Sequence, residues 1–219
     1  MEFELFLLIC NYIGTIAFAV AGAIKGIKKH LDIFGITLLS VVTAVGGGMI
    51  RDVLIGDLPA ALTEPAALYL SVAVGILLYL IASRMKTDRP RNPQVTQFLA
   101  KTNLVFDAIG LAIFALIGAS AGVDLNVNVL TSGILATLTG VGGGIIRDLL
   151  VNETPVVLKE DVYAVLALAE GMLYHLLVVN CGLPRIPTYL LIFTVALIIR
   201  LLVIKYNIQL PNMEKKKHV

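Results

Sequence analysis

The sequence predicts an all-α integral membrane protein of seven transmembrane helices, six of them forming two inverted three-helix repeats and one standing alone. Three observations carry this. The 219 residues are 58% apolar and only 15% charged, with a mean hydropathy of +0.91, outside the range of ordinary soluble domains. Apolar runs of roughly 18 to 22 residues recur along the chain, each long enough to cross a hydrocarbon core of ~30 Å as a helix. The chain also matches itself, without a gap, at an offset of 96 residues: Gly46-Gly47-Gly48-Met49-Ile50-Arg51-Asp52 returns as Gly142-Gly143-Gly144-Ile145-Ile146-Arg147-Asp148.

The spans fall at 5–24, 33–58, 65–82, 102–122, 127–151, 161–180 and 187–204. Glu2 and Glu4, with no basic stretch beside them, precede the first span, which is therefore expected to remain rather than be cleaved as a signal peptide. Repeat 1 covers 5–82 and repeat 2 covers 102–180. Between them, 83–101 carries Arg84, Lys86, Arg89 and Arg91 with two prolines and reads as a cytoplasmic linker; 206–219 is a polar tail, expected to be disordered. Beyond the glycines, Gly14 meets Gly110, Phe18 meets Phe114, Thr43 meets Thr139, Pro59 meets Pro155 and Gly75 meets Gly171. A repeat of three spans inserts its second copy upside down, which creates a pseudo-two-fold axis in the membrane plane. The seventh span has no counterpart and is expected to close or oligomerise the structure.

Orientation follows from the basic residues. Lys25, Lys28, Lys29, Arg84, Lys86, Arg89, Arg91, Lys101, Arg147, Lys159, Lys205 and the three tail lysines fall on one side, against Arg51 and Arg185 on the other, with Arg200 left inside the last span and expected to snorkel. The bias predicts a multi-pass protein of the cell membrane with its N-terminus outside and its C-terminus in the cytoplasm. The small net charge of +2 gives no nucleic-acid patch. Cys10 and Cys181 read as two lone buried thiols, and the absence of a nucleophile-base or metal-ligand constellation argues against an enzyme or a bound cofactor.

Three glycines in a row give up about 1 kcal/mol each relative to alanine in a helix, so each triplet is expected to break its span, at a depth of some 20 Å from Ile33 in the first copy. Close helix packing is the other use of such glycines. Broken helices at mid-depth must face protein or water, and their half-helix ends can hold ions or a zwitterion. Thr43 and Thr139, just before the triplets, and Asn11 opposite Asp107 in the repeat are the polar residues placed to line such a path. Arg51, Asp52, Asp107, Arg147, Asp148 and Glu170 each cost roughly 2.5 to 3.5 kcal/mol at mid-bilayer, so they should face inward. The Arg51-Asp52 and Arg147-Asp148 pairs read either as structural pairs or as groups that control opening. Glu170, opposite Val74, reads as a packed, protonated acid. Gly22-x-x-x-Gly26 and Gly118-x-x-x-Gly122 read as packing faces, His175 as a hydrogen-bonded core residue, and Tyr69, Tyr163, Tyr189 and Tyr206 as an interfacial belt.

With its duplicated G-G-G-x-I-R-D and its seven spans arranged as three, three and one, the chain resembles the prokaryotic branch of the trimeric intracellular cation channel family over residues 5–205. The same sequences are similar to a domain labelled as a glycine transporter. The resemblance implies homotrimers in the lipid bilayer. Each subunit would have its own pore for monovalent cations, chiefly potassium with sodium as the other transported ion, lined by the first, second, fourth and fifth spans between the glycine-kinked helices. The Lys-Glu-Val signature of the animal channels is absent from this sequence, so the resemblance does not extend to phosphoinositide control. A cation channel, an alternating-access carrier of glycine or another small solute, and a membrane protein without transport activity all remain compatible with these residues.

Overall fold

The structure is a computed structural model and describes residues 1–84, 93–158 and 161–206. Seven of its helices are long and apolar enough to cross a membrane. They are α1 (Glu2–Lys28), α2 (Ile33–Ile55), α4 (Ala66–Arg84), α5 (Pro93–Asp124), α6 (Val129–Leu150), α7 (Asp161–His175) with the π turn Leu176–Asn180 that extends it, and α8 (Arg185–Tyr206); α3 (Ala60–Thr63) is a single turn between α2 and α4. The fifth helix begins at Pro93, inside the stretch expected to be a linker; residues 85–92 and the tail 207–219 lie outside the described residues.

The repeat extends to the turns. Asp32 caps α2 by accepting from the Gly35 N–H, and Asn128, 96 residues later, caps α6 by accepting from the Thr131 N–H. The turn entering each of these helices carries a residue at positive φ, His30 and Asn126, and so does the turn leaving it, Gly56 and Asn152. At Gly56 (φ 83°) the left-handed conformation lets the Asp57 N–H return to the Asp52 carbonyl, closing the helix as Glu153 does on Asp148.

The helices pack as α1 on α2, α4 and α5, and as α5 on α6, α7 and α8, with α2 and α6 crossing at the centre. Small residues allow this. Gly22 faces the Leu39 carbonyl, Gly26 faces Ile36, Gly118 faces the Leu135 carbonyl and Gly122 faces Ser132, so both G-x-x-x-G runs are packing faces. Phe18 and Phe114, repeat partners, stack at the centre with centroids 5.2 Å apart and planes at 11°. The outward faces are apolar, as Leu190, Leu191, Val195 and Ile198 on α8 show, which suits a surface surrounded by lipid.

The glycine triplets depart from expectation. Hydrogen-bonded helix runs without interruption through Gly46–Gly48 in α2 and Gly142–Gly144 in α6. What the glycines provide is approach: a Cβ on Gly47 would collide with the Thr139 carbonyl oxygen, and one on Gly143 with the Thr43 carbonyl oxygen. The triplets lower helix propensity but allow two backbones to touch, and the tertiary contact decides the outcome.

Candidate functional site

Each Arg-Asp element sits near the C-terminal end of its helix and is built the same way. In α2 the Arg51 Nε and Nη2 donate to Asp52 Oδ1 at 2.9 and 2.7 Å, while Asp52 Oδ2 accepts from the Ala60 N–H at 2.9 Å. In α6 the Arg147 Nε donates to Asp148 Oδ1 at 3.0 Å, and Asp148 Oδ2 accepts from the Val156 N–H at 3.0 Å. Each aspartate thus holds its arginine and ties down the first turn of the segment eight residues later.

Their surroundings differ. Beside Arg51 lies a cavity of about 80 Å³ lined by Asn11, Tyr12 and Thr15 of α1, by Ala44, Val45, Gly48, Arg51 and Asp52 of α2, and by Glu64 and Ala67, with Phe114 of α5 as its inner limit. Thr15 is 1% exposed, and its hydroxyl has no hydrogen-bond partner among the described residues. On the other side Arg147 is 1% exposed and its Nη1 donates to Asp107 Oδ1 at 2.9 Å. Lys25 reaches across from α1 to Asp148 at 3.2 Å and to Glu153 at 2.6 Å, and Lys29 meets Glu153 at 2.6 Å. Those two hydrogen bonds hold the Glu153 carboxyl, in the loop after α6, down to about 2.

The structure therefore gathers most of the anticipated residues into two groups. Asn11, Gly48, Arg51 and Asp52 share the cavity; Asp107, Gly144, Arg147 and Asp148 share the opposite cluster. Thr43 and Thr139 join neither: their hydroxyls donate to the Leu39 and Leu135 carbonyls of their own helices at 2.6 Å, and their carbonyls receive the glycines of the other repeat. Gly46, Gly47, Gly142 and Gly143 are likewise contact residues. The backbones of α2 and α6 touch at Gly47 and Gly143; the polar cavity lies to one side, against α1, and a larger apolar groove of about 610 Å³ borders Gly46 and Ile146 on the side of α3 and α4.

Other expectations need correction. Tyr69 and Tyr206 are exposed, as an interfacial belt requires, but Tyr163 and Tyr189 are 2% and 1% exposed, and the Tyr189 hydroxyl donates to the Ile113 carbonyl. Arg200 does not snorkel: it is 1% exposed, with its guanidinium 4.7 Å from the centre of the Tyr163 ring. Cys181 is exposed, whereas Cys10 is buried. His175, by contrast, is the hydrogen-bonded core residue that was expected, 2.7 Å from the Ser132 hydroxyl. Glu170 is 3% exposed, with neither oxygen hydrogen-bonded among the described residues. Sequence reasoning missed Thr15, Lys25 and Tyr163. The first is an ordinary threonine in an apolar run and the second was counted only for orientation, but the third had a signal, since the repeat puts Ala67 opposite a tyrosine.

An inverted-repeat helical bundle with a polar cavity from one end and a buried charge cluster towards the other defines a polytopic membrane protein of the transport class rather than an enzyme. The family model described as "Glycine transporter" matches residues 8–84 and again residues 104–178. The chain belongs to that family, in which its fold places it with the prokaryotic TRIC channels. It is 33% identical to the UPF0126 inner membrane protein YadS of Escherichia coli K12 over 92% of this chain and 93% of that one. Its fold matches the crystal structure of a prokaryotic TRIC channel in 0.5 M KCl with a TM-score of 0.83 and 36% identity, covering 94% of this chain and 100% of that chain. It also matches the TRIC trimeric intracellular cation channel orthologue from Rhodobacter sphaeroides with a TM-score of 0.80 and 29% identity, over 93% and 99% of the two chains.

Proposed function

We propose that this chain is a cation channel of the cell membrane that prefers potassium and conducts through each subunit of a homotrimer. The observation that carries the reading is the cavity that reaches Phe114 from one end, with the Arg147–Asp107–Asp148 cluster towards the other, in a chain whose fold matches cation channels. The route we infer runs beside α2 and α6, through the cavity, past the stacked Phe18 and Phe114, and on to the Arg147 cluster. The carboxylates of Asp107 and Asp148 and the hydroxyl of Thr15 are oxygen ligands that can replace part of a cation's hydration shell. Arg51 and Arg147 oppose cations unless their aspartates neutralise them, and the ion pairs give both arginines that neutralisation in this state. Opening is then a rearrangement of those pairs.

The test is single-channel recording of purified protein in a planar bilayer with a potassium chloride gradient. The reversal potential is expected to approach the potassium value, and Asp107→Asn to weaken the preference. Chloride selectivity would overturn the reading; glycine uptake without ionic conductance would replace it with the carrier that the family description names. The Lys/Arg bias supports an outer N-terminus. Cysteines placed at Asp124 and Asp88 are expected to label from outside and inside respectively, and the reverse result would invert the topology.

A further inference from the structure

The two halves of the path have the same backbone plan, so the residue that makes one open and the other closed is identified by direct comparison. Gly48 faces open space, with nothing nearer to an added Cβ than the Arg51 Nη2 at 4.0 Å. Its partner Gly144 has the Tyr163 hydroxyl and the Arg147 Nη2 both at 3.6 Å from the same point. Among the positions at which the halves differ, the one that faces this glycine is Ala67, which lines the first cavity, and 96 residues later Tyr163, 2% exposed and aimed at Gly144. Tyr163 is in turn covered by Arg200, from the helix that has no repeat partner, with the guanidinium 4.7 Å from its ring centre and the arginine itself 1% exposed.

We propose that Tyr163 is a plug that fills the second-repeat half of the pathway, and that Arg200 is its positioning residue, through which the seventh helix sets whether the plug stays seated. A guanidinium stacked on a ring away from water is among the stronger cation–π contacts, and it fixes the ring where a single aromatic side chain covers the space that an alanine leaves open in repeat 1. Movement of α8 that withdraws Arg200 frees the ring, and the space beside Gly144 then opens as it is open beside Gly48. The proposal rests on the channel reading for its consequence, though the plug is a property of the packing.

Two readouts separate these. In a background lacking Cys10 and Cys181, a cysteine at Val45 is expected to react with a charged methanethiosulfonate through the first cavity. One at its counterpart Val141 is expected to react only when Tyr163→Ala is added. In bilayers, Tyr163→Ala and Arg200→Gln are each expected to raise open probability by about thirtyfold, the scale of a desolvated cation–π contact, while Tyr163→Phe, which keeps ring and stacking but loses the hydroxyl's hydrogen bond to Asp107, is expected to raise it far less than either. Ala67→Tyr should close the first cavity and protect the cysteine at Val45; it and Tyr163→Leu decide the matter if Tyr163→Ala does not fold. Equal labelling at Val141 with and without the tyrosine, or Arg200→Gln protein of reduced thermal stability but unchanged open probability, would overturn the plug and the latch respectively. Tyrosine-dependent labelling in a protein that never conducts would keep the plug and reject the channel.

Discussion

The two repeats share their caps, their positive-φ turns and the carboxylate that anchors the following segment, yet one ends in a solvent-sized cavity and the other in a solid block of charge and aromatic rings. Backbone plan and accessibility are therefore set at different levels. Helix length, glycine spacing and capping fix where the main chain goes. A few side chains, Asn11 against Asp107, Thr15 against Leu111 and Ala67 against Tyr163, decide whether the space between helices is kept or filled. Conduction through such a structure requires only the second level to change.

The sharpest way to break this comparison is to remove the two arginines in turn. Arg147→Gln leaves the Asp107 carboxylate buried without its partner and should cost about 3 to 5 kcal/mol, whereas Arg51→Gln, at a pair with side chains 13% and 8% exposed beside the cavity, should cost less, about 1 to 3 kcal/mol. Thermal unfolding in detergent reads the difference, and equal losses would mean that the halves are equivalent after all. The next effect lies within one triplet. Gly47→Ala drives a methyl into the Thr139 carbonyl and should destabilise by about 2 kcal/mol, while Gly48→Ala, with open space around it, should gain up to about 1 kcal/mol from helix propensity. Identical behaviour of the two variants would remove close contact as the reason for the glycines.

A smaller effect concerns acid. The Glu153 carboxyl is held below its unfolded value, so its bonds to Lys25 and Lys29 contribute fully above the unfolded value of 4.5 and are lost as pH falls through about 2. Glu153→Gln is expected to remove that part of the acid sensitivity, read as melting temperature between these limits; an unchanged acid profile would show that the carboxylate does not titrate with folding. The smallest effect is expected at the exposed Arg185–Asp124 pair, where Arg185→Gln should shift stability by less than about 1 kcal/mol. A larger loss there would mean that the pair anchors α8 rather than decorating its end.

Much of this was legible from hydropathy and self-similarity. Span number, the inverted repeat, the Arg-Asp pairing and the packing role of the G-x-x-x-G runs are consequences of length, period and neighbouring charge. The triplets were misread because propensity is local, whereas the Thr139 carbonyl that occupies the space beside Gly47 is 92 residues away along the chain. Tyr163, Tyr189 and Arg200 were misplaced for the opposite reason. Position near a span end predicts an interface when the helix side faces lipid, and no single-sequence pattern told which side of α7 or α8 did. Asp107 was legible as inward-facing because a carboxylate has no other place at that depth, but its partner, Arg147, had to be seen.

The crossing of α2 and α6 has one more implication. Gly47 receives a carbonyl from the second repeat and Gly143 receives the equivalent carbonyl from the first, so each half carries both the socket and the peg. A surface of this kind is complementary to its own copy turned over. A free-standing ancestor of three spans, threaded into the bilayer in both directions, would have held all it needed to pair with itself, and gene fusion would then have preserved a contact that already existed between separate chains. The same reciprocity constrains later divergence: a bulky change at either glycine strains both halves at once, while residues away from the axis, such as Ala67 and Tyr163, remain free to drift apart.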